Sequence, residues 1–309
     1  MTSVKYPKVY FGPMSKNIVD CLIELAEKGY PVGLIPSRRQ VEYNGGYVNN
    51  WTTKSFADYV RSKSSKVLLC RDHGGRDQGQ EADDGRQSFE NDCKNNFDII
   101  HIDPWKQFTS IDEVAEETIR NIQLCLSENP NVKFEVGTEE AIHPYTPQEL
   151  EMFLSKVSNG LGDDFKSIVY AVVQFGTAIQ GTKNVGNFDL QRSKQMVKVC
   201  KKFNLLSKEH NGDYLNIEQI HERFSIGLDA INIAPEYGVY ETSCLIDYFI
   251  DDIDLDKLQV FYLTCLVSRK WVKWLPWVKR YTKVGERPFY DLLITKVSGH
   301  YNFNNEKVL

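Results

Sequence analysis

The chain alternates short apolar runs with longer stretches of helical periodicity. The runs cover residues 32–36, 67–70, 97–102, 132–136, 168–175, 203–206 and 230–234, with a weaker eighth at 292–297. Between them, apolar positions recur every three to four residues over 53–62, 110–127, 146–157, 190–201, 217–224 and 241–249. A strand buried on both faces reads as a continuous apolar run, whereas a helix packed on one side shows the longer spacing. Cap chemistry strengthens several helices. Thr52 precedes the first, TSIDEVAEE has acids in its first turn, and TPQELEMF puts Pro147 at the first helical position. Strands alternating with helices imply parallel βα units. Seven or eight units over 309 residues fit a closed (β/α)8 TIM barrel better than an open doubly wound sheet. No GxGxxG or GxxxxGK[ST] follows any run, so the phosphate-cradling loops of nucleotide folds are missing. We expect one TIM-barrel domain over residues 1–309, with its core at about 30–250 and a helical extension at about 251–309.

Most runs end in reactive side chains. VLLC leads into Arg71-Asp72-His73-Gly74-Gly75, and FDIIHI holds His101 and ends in Asp103. VKFEVG carries Glu135, followed by Glu139 and Glu140. The later runs contribute Gln174 and Gln180, then Glu209 and His210, then Asn232. In a barrel the carboxyl ends of the strands share one rim, where active sites are built. Of six histidines, His73, His101 and His210 lie in or just after runs. Singly, each reads as a histidine hydrogen-bonded in place. Together with Glu135 they offer nitrogen and oxygen ligands from separate strands, which a catalytic metal with an open position requires. Zinc is the first choice because imidazole suits it, with manganese, cobalt and iron left open. Arg38, Arg39, Arg71 and Arg76 near the first two runs are either solvated or phosphate-binding.

Composition narrows the function classes. Against 37 Lys plus Arg stand 42 Asp plus Glu, a formal charge of −5 without a basic tail. That balance argues against a nucleic-acid binder that works by neutralising phosphates. No apolar run approaches the roughly 18 residues needed to span a bilayer. The opening MTSVKYPKVYFGPMSK lacks a signal-peptide core. A cytoplasmic protein without membrane or nucleic-acid partners is expected. Seven scattered cysteines without a CxxC pair read as reduced thiols filling apolar space.

The rim residues resemble the class II, metal-dependent aldolase superfamily, most closely the accessory (Z-type) subunit family of tagatose-bisphosphate aldolase. The matching pieces are Gln40-Val41 with Asn44-Gly45-Gly46-Tyr47, Asp72-His73, Ile100-His101-Ile102-Asp103, Glu135 with Val136-Gly137-Thr138-Glu139, Val172-Val173-Gln174, and Glu209-His210 with Asp213-Tyr214. They follow in order from about residue 32 to 240. The resemblance implies a sugar-phosphate aldolase or epimerase acting on an anionic keto-sugar through a metal-stabilised enediolate. It implies His73 and His210 as metal ligands with Glu135 as the third, and Asp72 with Glu139 or Glu140 as the acid/base groups. Asn232 would hold the substrate's hydroxyls. Gln40, Arg38, Arg71, His101 and Asp103 are expected to line the substrate, together with Gln174, Gln180 and Glu209.

Two departures qualify the resemblance. Catalytic class II aldolases carry a third histidine after the strand that here reads QFGTAIQG, where this chain has Gln180. The Z-type family also lacks it. That suggests the alternative of a non-catalytic subunit stabilising a partner aldolase, while related members act as sugar-acid epimerases. The first run also ends in a basic Ile35-Pro36-Ser37-Arg38-Arg39, which suggests a different phosphate- or carboxylate-bearing substrate. A homo-oligomer or a complex with an aldolase subunit is the expected assembly. Trp271, Trp274 and Trp277 read as a helix packed on the barrel or a subunit contact, and residues 300–305 as a frayed tail.

Overall fold

The structure is a computed structural model and describes residues 6–280, 288–306 and 308. Eight parallel strands close into a barrel: β1 (Val9–Phe11), β2 (Gly33–Leu34), β3 (Leu68–Gly74), β4 (Ile99–Ile102), β5 (Lys133–Val136), β6 (Ile168–Val173), β7 (Leu206–Glu209) and β8 (Ala230–Ile233). Each pairs with its neighbour in sequence, and β8 closes on β1 through Tyr10↔Asn232. The connecting helices are α1 (Lys16–Glu27), α2 (Thr53–Lys63), α3 (Arg86–Lys94), α4 (Ile111–Glu128), α5 (Pro147–Leu161), α6 (Leu190–Lys202) and α7 (Ile217–Ser225), with α8 (Pro235–Asp251) after the last strand. This is the expected (β/α)8 TIM barrel.

Local sequence sets the helix starts. Thr52 and Thr146 each form a capping box, with Ser55 and Glu149 respectively, and Pro147 opens α5. Strand alternation then divides the core in two. Leu34, Leu69, Ile100, Phe134, Ala171 and Ile231 face the helices in the large cluster. Tyr10, Ile35, Cys70, Ile99, Tyr170 and Ala230 fill the barrel in a smaller one. Two residues beyond Cys70, Ile99 and Ala230 along their strands come Asp72, His101 and Asn232. The inward register that packs the barrel floor therefore delivers polar groups to its mouth.

Four readings change. The barrel begins at Val9, upstream of the expected start near 30, because three residues between prolines and a glycine form too short an apolar run to register. The weak run at 292–297 lies in α10 (Pro288–Ser298), a helix of the extension, so the eighth strand comes from the N-terminus. β7 starts at Leu206 because Phe203 caps α6. The extension also contains α9 (Leu255–Ser268) and packs with α8 around its own cluster, including Phe261, Trp271, Leu275 and Ile294. Residues 300–305 are not frayed. His300 is buried, and Asn304 Nδ2 donates to the Tyr47 carbonyl at 2.6 Å. All seven cysteines are free thiols, five of them buried. No helix among the described residues is long and apolar enough to cross a membrane.

Candidate metal centre at the barrel mouth

Asp72, His73, His101 and His210 each offer one ligand atom, and these atoms lie within 4.8 Å of one another. The three imidazole centroids form a triangle with sides of 5.1, 5.3 and 5.0 Å. Asp72 Oδ1 faces all three rings, 3.7 Å from His73 Nε2, 3.9 Å from His101 Nδ1 and 3.6 Å from His210 Nδ1. It is buried and lacks a hydrogen-bond partner.

The outer nitrogen of each ring is fixed. His73 Nδ1 meets Asp103 Oδ2 at 2.6 Å, His101 Nε2 meets the Gly137 carbonyl at 2.9 Å, and His210 Nε2 meets Glu135 Oε1 at 2.6 Å. These oxygens accept, so each outer nitrogen carries a proton and the inner nitrogen faces the cluster. Burial lowers His73 and His101, but Asp72 beside the first and Glu135 beside the second raise both above the ordinary imidazole value, so a cation taking the inner lone pair would displace a proton. At His101 that lone pair receives a long 3.3 Å bond from the His73 backbone N–H. Imidazoles backed by a carboxylate or carbonyl, with free nitrogens converging, are the donor set of a divalent-metal site. Donors sharing a tetrahedral cation stand roughly 3.4 Å apart for bonds of about 2.0–2.1 Å. The Asp72 separations are slightly longer than that, and the unpartnered oxygen has a use there. The residues fit a metal.

Charge is balanced behind the cluster. Lys208, two residues before His210 on β7, buries its Nζ 2.6 Å from Glu135 Oε2 and 3.8 Å from the Tyr10 ring centroid. Burial raises the Glu135 carboxyl, but Lys208, then His101 and His210, hold it far below the usual range. Burial likewise opposes ionisation of Asp72, and the three histidines outweigh it. Glu139 Oε2 accepts from Asn211 Nδ2 at 2.6 Å and stands 3.6 Å from His73 Nε2. It too is kept ionised against burial, chiefly by His73.

The sequence-predicted residues thus divide. His101, expected to touch substrate, joins the imidazole triangle, and Glu135, expected as a ligand, backs His210 from outside it. Asp103 backs His73 and also accepts from Thr138 Oγ1. Asn232 is buried with its side-chain oxygen unpartnered. Gln40 is buried, its Oε1 accepting from the Ser37 N–H at 2.8 Å. The others are engaged in the scaffold. Arg38 binds Glu42, Asp83 and the Gly75 carbonyl; Arg71 forks onto Asp92 at 2.8 and 2.6 Å. Glu209 takes Arg223 at 2.8 Å and Glu140 takes Arg192 at 2.9 Å. Gln174 ties the backbones of Thr138, His143 and Tyr145. Gln180 is exposed on a small hairpin (Ile179–Gln180 with Lys183–Asn184). Lys106, Lys208 and Asn211 were not singled out from sequence. Lys208 was legible in principle, since it shares the inward register of His210.

No protein-family model and no curated protein matches the chain. Solved structures do. A chain from Sinorhizobium meliloti 1021 described as a probable tagatose 6 phosphate kinase superposes with a TM-score of 0.77 at 16% identity, covering 98% of this chain and 84% of that one. Fructose-bisphosphate aldolase from Campylobacter jejuni gives 0.59 at 16%, covering 96% and 87%. Fructuronate-tagaturonate epimerase UxaE from Cohnella laeviribosi gives 0.56 at 10%, covering 97% and 74%. At these identities the likeness is one of fold. The barrels it joins include aldolase and epimerase barrels, the group to which the rim motifs pointed.

Proposed function

We propose that this chain is a metal-dependent enzyme that makes or breaks a bond beside the carbonyl of an anionic keto-sugar, as an aldolase or an epimerase. The observation that carries this reading is the convergence of three outer-protonated imidazoles and the unpartnered Asp72 oxygen at the barrel mouth. His73, His101 and His210 would hold the cation, with zinc the first candidate, leaving a position open for the substrate, and Asp72, expected as an acid/base group, faces the same point. A divalent cation there supplies Lewis-acid polarisation of the substrate carbonyl. Glu139, ionised beside the cluster and steadied by Asn211, takes the proton from the carbon or hydroxyl next to it. Asn232 offers an amide to the substrate's hydroxyls, and Asp103 and Glu135 keep the rings oriented.

The reading as a non-catalytic accessory subunit rested on the histidine missing after the sixth strand. His101 on β4 offers a third imidazole in its place, which favours catalysis. Aldol cleavage and epimerisation share proton removal beside the carbonyl, so solvent exchange tests both. Purified protein should contain about one metal per chain, removable by chelator. In D2O it should exchange the substrate proton of a ketose phosphate or keto-uronate. Glu139→Gln should keep the metal and lose exchange. No stoichiometric metal after reconstitution, or exchange unaltered in the variant, overturns the reading.

A further inference from the structure

Two of the four arginines first expected to meet an anion are engaged elsewhere. Arg38 and Arg71 are buried in ion pairs with Glu42, Asp83 and Asp92, and Arg192 is held by Glu140. Two other cations lack such partners. Among the described residues neither Arg39, in the β2–α2 loop, nor Lys106, in the β4–α4 loop, forms an ion pair. Arg39 Nε gives only a long 3.4 Å bond to the Gly79 carbonyl, and Lys106 Nζ donates to the neutral side chain of Gln78.

Both therefore lean on one short stretch of the β3–α3 loop. That stretch is tied to the metal cluster, because Gln78 Nε2 donates to the Asp103 carbonyl at 3.1 Å and Asp103 holds His73. The two charges also act on each other. Burial lowers the Lys106 ammonium, Arg39 lowers it further, and Asp103, Glu139 and Asp72 pull the other way. Both side chains are nonetheless exposed and anchored on neighbouring residues of that loop, Gly79 and Gln78, so an oxyanion there would meet a guanidinium fork and an ammonium, which are complementary donors.

We propose that Arg39 and Lys106 form the subsite for the acid group of the substrate, a carboxylate or phosphate carried by the keto-sugar. The subsite rests on the function proposed above and gives its substrate a charge. It also distinguishes Arg39 from its neighbour Arg38, whose role is to hold the loops.

The test is calorimetric titration of manganese-loaded protein, after manganese stoichiometry has been measured, with D-fructuronate, D-fructose 6-phosphate and neutral D-fructose. In wild type a charged probe should bind at least roughly tenfold tighter than fructose, as one or two charge-assisted hydrogen bonds provide. Arg39→Gln/Lys106→Gln should abolish that preference while manganese stoichiometry and fructose affinity stay unchanged. Preference for fructuronate alone assigns a carboxylate, and for the phosphate alone a phosphate ester. A wild type without preference, or a double variant that keeps it, overturns the subsite. A wild type that takes up no manganese overturns the underlying function and the subsite with it, a failure read from the metal measurement alone.

Discussion

Asp72 and His73 are consecutive on β3, yet both present a ligand atom to the same point, Asp72 Oδ1 lying 3.7 Å from His73 Nε2. In a regular strand they would face opposite sides. Here the register of β3 against β4 slips between Arg71 and Gly74, and His73 has a left-handed backbone with φ of 44°. A bulge re-aims a side chain at the cost of local strain, and such strain gathers at functional sites. Gly74 accommodates it. A Cβ there would stand 2.7 Å from the His101 carbonyl oxygen. Gly74→Ala should therefore disturb His73 and His101 together. We expect metal affinity to fall by roughly 10–100-fold, the usual effect of misorienting ligands, measured by competition with a chromogenic chelator.

Metal stoichiometry separates the two ligand sets considered. If the triangle of imidazoles binds, His101→Ala should lose the metal as completely as His73→Ala. Glu135→Gln should retain it with an affinity reduced by about 10–100-fold. Elemental analysis after gel filtration distinguishes the cases. Metal retained by His101→Ala would restore Glu135 as the ligand.

The site was partly legible because strand ends are legible. Asp72, His73, His101 and His210 all stood at the ends of apolar runs, and the barrel brings such ends together. What sequence spacing does not encode is the stagger between strands. Glu135 and His101 are register partners, but Glu135 also pairs with Tyr170, and Tyr170 with Leu206, four residues short of His210. Stagger and side-chain length decide which of two inward groups reaches the cluster and which supports it. The same holds for the arginines. Nothing in Arg38-Arg39 tells which side chain turns under the loop. The missed first strand, at Val9–Phe11, is only three residues long, and its place is fixed by pairing with β2 and β8.

Lys208 and Glu135 form a fully buried pair at 2.6 Å. Removing one partner leaves an uncompensated charge in the barrel, so Lys208→Met should destabilise the apoprotein by about 3–5 kcal/mol. Combining it with Glu135→Gln should recover much of that loss, because the pair rather than either charge satisfies the interior. Urea unfolding of the two single variants and the double variant completes the cycle. Additive losses would show that the two residues do not depend on each other.

Metal binding should also stabilise the fold. The cluster spans β3, β4 and β7, so a cation held only by the native barrel shifts unfolding by mass action. At a hundredfold excess over Kd the gain is about 2.7 kcal/mol. Thermal scans of chelator-treated protein should show Tm rising on addition of zinc or manganese, and His210→Ala should show no rise. An equal rise in that variant would place the stabilising ion elsewhere.

Two glycines in helices predict opposite outcomes for the same substitution. A Cβ at Gly238, in α8, would stand 2.7 Å from His300 Cγ. His300 is buried on the turn Gly299–Asn302, and neighbouring Tyr301 packs 4.6 Å from the Tyr47 ring. The clash reaches His300 Cβ, which a rotamer change does not move, so Gly238→Ala should cost about 1–3 kcal/mol by overpacking, despite the gain in helix propensity. It should also expose the C-terminal turn to limited proteolysis. At Gly160, in the last turn of α5, the added Cβ meets only the Ile119 side chain, nearest at Cδ1, a flexible end that a rotamer change clears. Gly160→Ala should therefore be neutral or stabilising by up to about 1 kcal/mol. Urea unfolding of both variants, with proteolysis of the first, decides the matter. A Gly238→Ala protein as stable and protease-resistant as wild type would mean that the extension is not clamped on α8 through His300.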